Sequence, residues 1–95
     1  MKTVQKKTLD NLIRLSHKYW ETGDVDILDA RIRTADALSF DVFGNVLEAF
    51  SIIDFVDSCI KLNNKIISNE TIYAAFGVIG IEVGKQAEGG TDEAT

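Results

Sequence analysis

Residues 39–62 read SFDVFGNVLEAFSIIDFVDSCIKL, and no other stretch of the chain carries as many large apolar side chains. At about 100° per residue, Val42, Val46, Ala49, Ile53, Val56 and Ile60 fall on one face, which is the period of a helix. Strand alternation is broken where Ile52-Ile53 stand beside Phe55-Val56. Ser39 is placed to cap the run, Asp41 suits the first turn, and Asn63-Asn64 offer a left-handed stop. The stretch therefore predicts one long, mostly buried helix over about residues 40–62, on which the other segments pack. Its apolar face drifts. Phe43, Leu47 and Phe50 widen one side in the first half. Asp54, Asp57 and Lys61 take that side in the second half, where Phe55 and Cys59 extend the other flank. The two halves should meet different neighbours, or the helix should bend near Phe50–Ser51.

Working outward, residues 3–21 read as a first helix, with Leu9, Leu12, Ile13, Ser16, Tyr19 and Trp20 on one face and Lys7, Asn11, Arg14 and Lys18 on the other. Asp10 and Arg14 are spaced for an i, i+4 ion pair. Gly23 is the expected C-terminal cap. Asp24 then caps a second helix over about 25–38, with a buried stripe of Val25, Leu28, Ile32 and Ala35. Its acidic start, Asp24, Asp26 and Asp29, suits the helix dipole and lacks the alternating pattern of a calcium loop. Asp29 and Arg33 form a second i, i+4 spacing.

Beyond residue 62, Ser68 or Asn69 can cap a last helix over about 69–86, with Ile67 and Ile72 stapling its start. This segment, ETIYAAFGVIGIEVGK, is apolar nearly all round. Gly77, Gly80 and Gly84 share a stripe beside Tyr73. Glycines cost a helix about 1 kcal/mol each, so they imply close approach of another backbone. A strand is the rival assignment, since Thr, Ile, Tyr, Phe and Val favour strands, but it needs a pairing partner that no other segment of the chain visibly supplies. Residues 87–95 are small, polar and acidic, and read as a disordered tail.

The expected architecture is all-α: one domain over 1–86, built as a four-helix bundle. A chain of 95 residues buries a modest core. Its apolar runs are too short to span a membrane. The absence of an apolar leader and the single cysteine suggest a cytoplasmic setting. Charge divides unevenly: residues 1–20 carry +4, from Lys2, Lys6, Lys7, Arg14 and Lys18 against Asp10, and residues 21–95 carry −9.

Chemistry is sparse. His17 is the one histidine, on the polar edge of the first helix, and Cys59 has no evident basic neighbour to form a thiolate. No metal-ligand spacing or phosphate-cradling loop is present. Neither catalysis, a metal nor a cofactor is expected. The expectation is a small non-catalytic protein that binds another protein as a homodimer. Its size and acidity are those of phage accessory proteins, inhibitors and bacteriocin immunity proteins, an analogy only. The candidate interface is Phe55, Tyr73, Gly77, Val78, Gly80, Ile81 and Gly84, because two segments carry more apolar circumference than one small chain covers. The alternative is a nucleic-acid-binding regulator using Lys2, Lys6, Lys7, Arg14 and Lys18, against which the acidic body stands.

Overall fold

A computed structural model describes residues 2–63 and 67–84; the tail expected at 87–95 lies outside them. In order, the elements are β1 (Lys2–Val4), α1 (Lys6–Thr22), α2 (Val25–Phe43), α3 (Ala49–Asn63), α4 (Asn69–Val78) and β2 (Ile81–Val83). The four expected helices are present, with different boundaries and a small sheet added.

The first turn follows the sequence closely. Gly23 adopts the left-handed conformation (φ 70°) and donates its N–H to the Tyr19 carbonyl. Asp24 caps α2 by accepting the Asp26 N–H. Ser68 caps α4 by accepting the Thr71 N–H.

The long central helix does not exist as one piece. α2 runs through Ser39 to Phe43 and is stopped by Gly44 at φ 75°, whose N–H donates to the Phe40 carbonyl. Ser39 is thus a buried residue inside α2, not a cap. Its hydroxyl donates to the Asn45 carbonyl at 2.7 Å and accepts the Glu48 N–H at 3.2 Å, so it braces the corner from within. Asn45 accepts the Leu47 N–H on its side-chain oxygen and donates to the Phe43 carbonyl. The two halves of 39–62 therefore belong to two helices.

The final segment also divides. α4 ends at Val78, and Gly80, at φ 86°, turns the chain into β2. β2 pairs in parallel with β1, Lys2 opposite Ile81, Thr3 opposite Glu82 and Val4 opposite Val83. The N-terminal segment supplies the partner that a strand at 81–83 requires. A glycine stripe along one helix is accordingly not formed. Gly77 has open space where a Cβ would stand. Gly84 does meet another backbone: its N–H donates to the Val4 carbonyl at 2.8 Å, and a Cβ there would lie 3.2 Å from that oxygen.

The core joins Val4, Leu9, Leu12 and Ile13 to Ala35, Leu38 and Val42 of α2, Ala49, Ile52, Ile53 and Val56 of α3, and Ile72, Phe76 and Ile81. The buried face of α2 is rotated from the expected stripe. Val25 is exposed and Arg31 is buried. Burial of an arginine requires partners, and these form a network described below.

Candidate functional site

The corner between α2 and α3 decides which apolar groups find cover. Gly44 reverses the chain within one turn, and the Ser39 and Asn45 hydrogen bonds fix the loop. Side chains on the outer side of this corner cannot fold back onto the core. Phe40 is 61% exposed, Leu47 80% and Phe50 65%, with Phe43 and Val46 also open. At the end of α4, Val78 is 86% exposed and Ile79 is open too. Phe43 from the corner and Ile79 from the end of α4 meet in an apolar hollow of about 230 Å3, lined also by Ile52, Phe55, Phe76 and Ile81. Phe55 and Phe76 form its floor as an edge-to-face pair, ring centres 4.8 Å apart. Glu48 and Ser51 stand at its α3 side.

The candidate interface residues inferred from sequence fall in different places. Phe55, half-buried, and Ile81, buried, line the hollow, whereas Val78 is open to solvent at the end of α4 and does not line it. Tyr73, Gly77 and Gly84 instead line a second groove, about 510 Å3, between α4 and β2. Gly80 makes the turn. Sequence reasoning missed Phe40, Phe43, Val46, Leu47, Phe50 and Ile79 as exposed groups. The available signal was Gly44-Asn45, a turn dipeptide inside an apolar run.

Tyr73 belongs to a polar knot joining α1 to α4. Its hydroxyl hydrogen-bonds Asp10, whose carboxylate also accepts from Asn69 at 3.0 Å and from Lys6 at 3.3 Å. The expected Asp10–Arg14 pair is not formed; Arg14 donates to Asn11 instead. Partial burial and the neighbouring Asp10 push the Tyr73 hydroxyl above its usual range, and Asp10 raises Lys6 as well.

At the opposite end of α3 lies the Arg31 network. The guanidinium is 2% exposed, pairs with Asp57 at 2.5 Å, donates from Nε to Ser16 at 3.3 Å, and lies 4.9 Å from the Tyr19 ring centre. Trp20 donates its indole N–H to Asp57 at 3.2 Å, and Lys61 covers the indole face at 4.3 Å. Every member is satisfied from within the fold, which makes this a fixed internal brace.

His17 is half-buried, and its Nε2 is shielded from solvent without a hydrogen-bond partner. Burial raises the Cys59 thiol, disfavouring the nucleophilic thiolate. Among the described residues, no group of three or more His, Cys, Asp or Glu is placed to hold a metal ion. None of their helices is long and apolar enough to cross a membrane.

Lys2 donates to the Val42 carbonyl and lies over Phe43, Lys6 is held by Asp10, and Lys7, Arg14 and Lys18 remain exposed along α1. No protein-family model, curated protein or solved structure matches the chain.

Proposed function

We propose that the chain is a non-catalytic protein-binding module whose contact surface is the apolar face at the α2–α3 corner. The observation that carries this is the set of open apolar side chains that follow one another round the corner, Phe40, Phe43, Val46, Leu47 and Phe50, with Phe43 also lining a hollow beside Ile79. Isolated exposed apolar residues are ordinary, but so many large ones within one corner are the kind of surface that partners cover. Aromatic side chains are also the groups most enriched in the cores of protein interfaces. Among the possible protein partners, a second copy of the chain is the simplest to test.

The test compares the wild type with the double variant Leu47→Asp, Phe50→Asp. Both residues are exposed, so the variant keeps its fold by circular dichroism. Sedimentation reads self-association, and affinity capture from the native cell reads other partners. The proposal requires that whatever associates with the wild type be lost from the variant. A wild type that sediments as a monomer and captures the same proteins as the variant refutes it.

A further inference from the structure

Two walls of the hollow come from distant parts of the chain. Phe43 is the last residue of α2, and Ile81 is the first of β2. Lys2 touches both. Its backbone stands opposite Ile81 in the parallel pair. Its ammonium donates to the Val42 carbonyl at 3.2 Å and lies 5.5 Å from the Phe43 ring centre. The seat suits a cation. Val42 is in the last turn of α2, where carbonyls lack a helical N–H partner and the dipole is negative. The last turn holds no basic side chain of its own. We propose that Lys2–Val4 is a releasable strap across the hollow: seated, it holds the Phe43 and Ile81 walls together, and released, it lets them part.

The strap is lightly held. It has three residues, of which Lys2 and Thr3 are exposed and Val4 alone is seated in the core. The ammonium makes its two contacts at a solvent-exposed site, where a charge at a helix end and a cation over a ring each contribute little. Segments with few buried groups open at lower free energy than the core around them. When β1 lifts, the Phe43 ring loses its cation and Ile81 loses its pairing partner, so nothing in β1 ties one wall to the other. The Gly84 N–H, which donates to the Val4 carbonyl at 2.8 Å, reports this opening. The strap acts on the hollow and not on the open residues of the corner, so its failure would leave the protein-binding role standing.

The experiment compares the full chain with Lys2→Met, which keeps the length of the side chain and removes its charge, and with Lys2→Arg, which keeps the charge. Circular dichroism checks the fold of each. In native-state hydrogen exchange the wild-type Gly84 amide should be at least about tenfold less protected than those of Leu12 and Ile13, through an opening smaller than global unfolding. Lys2→Met should lower Gly84 protection by a further factor of about five, and Lys2→Arg by less than about twofold. In Lys2→Met the NMR signals of Phe55 and Ile79, from α3 and the end of α4, should move. Emission from 1-anilinonaphthalene-8-sulfonate, which binds exposed apolar surface, should rise with them. Gly84 protected as strongly as Leu12 overturns the release. Unchanged Gly84 protection in Lys2→Met overturns the part given to Lys2. Faster Gly84 exchange with no change at Phe55, at Ile79 or in dye emission overturns the link to the hollow. Protection lost evenly over all amides, or a Lys2→Met chain that does not fold, makes β1 part of the global fold and overturns the strap as well.

Discussion

Phe50 and Asp57 lie two turns apart on the same stripe of α3, and their fates are opposite. The aromatic ring is open to solvent, whereas the carboxylate is largely covered, held between Arg31 and Trp20. Taken as isolated side chains, each is on the wrong side of the surface. The difference is the neighbour. Tyr19 and Trp20, near the end of α1, close over the Asp57 end of the stripe, and nothing in the described chain closes over the Phe50 end. One end of α3 is therefore covered within the fold, and the other leaves an aromatic ring open to solvent.

The sharpest way to break this contrast is at the covered end. Asp57→Ala removes the carboxylate that pairs Arg31 and accepts from Trp20, leaving a buried guanidinium uncompensated. A loss of about 3–5 kcal/mol is expected in urea unfolding. Adding Arg31→Met should recover much of it, since an apolar side chain of similar length removes the stranded charge. A loss below about 1 kcal/mol for Asp57→Ala would mean the pair is not the internal brace described, because surface pairs are worth that little.

An intermediate effect is expected at the knot between α1 and α4. Tyr73→Phe removes one hydrogen bond to Asp10, for an expected loss of about 0.5–1.5 kcal/mol near neutral pH. The pH dependence has a definite sign. Tyr73 and Lys6 are both raised in the folded chain. Their contribution is therefore fully present below the unfolded values, about 10, and is lost as pH rises through the folded ones. Alkaline unfolding monitored by fluorescence should show a shallower fall for Tyr73→Phe than for the wild type. Identical profiles would remove Tyr73 from that transition.

At the uncovered end the expected stability change is smallest. Phe50→Asp should alter unfolding free energy by no more than about 0.5 kcal/mol, as at other surface positions. Under the proposed function, its effect is expected on binding. A destabilisation as large as that of Asp57→Ala would show Phe50 to be part of the core, and the contrast would collapse.

Much of the fold is legible in the residues because helix period and capping chemistry act locally. Gly23, Asp24 and Ser68 do what their types favour, and Leu9, Leu12, Ile53, Val56, Ile72 and Phe76 are buried as the period implies. Three features depend on tertiary context. Gly44-Asn45 interrupts an apolar run, and whether such a dipeptide bends or breaks the helix is decided by the Ser39 contacts across the corner. Arg31 enters the core only because Asp57 and Ser16, 26 and 15 residues away, meet it there. The strand at 81–83 exists because residues 2–4 lie beside it. The candidate site was legible as a surplus of apolar surface in 39–62 and 70–83, but not in its placement. The surplus of the first stretch lies open at the corner that Gly44 creates, and that of the second at the end of α4.

The parallel pairing of β1 with β2 has a kinetic consequence. Lys2 meets Ile81 only after nearly the whole chain has been looped back. Closing an unstructured loop of that length costs about 4 kcal/mol in entropy, more than three residue pairs supply. The helices must dock first and shorten the loop, so the strand clasp forms after the folding barrier. Crowding this clasp with Gly84→Ala, against the Val4 carbonyl, should leave the refolding limb of a chevron plot unchanged and raise the unfolding limb. The latch that joins residues 2–4 to residues 81–83 would then set how long the folded state survives, not how quickly it is reached.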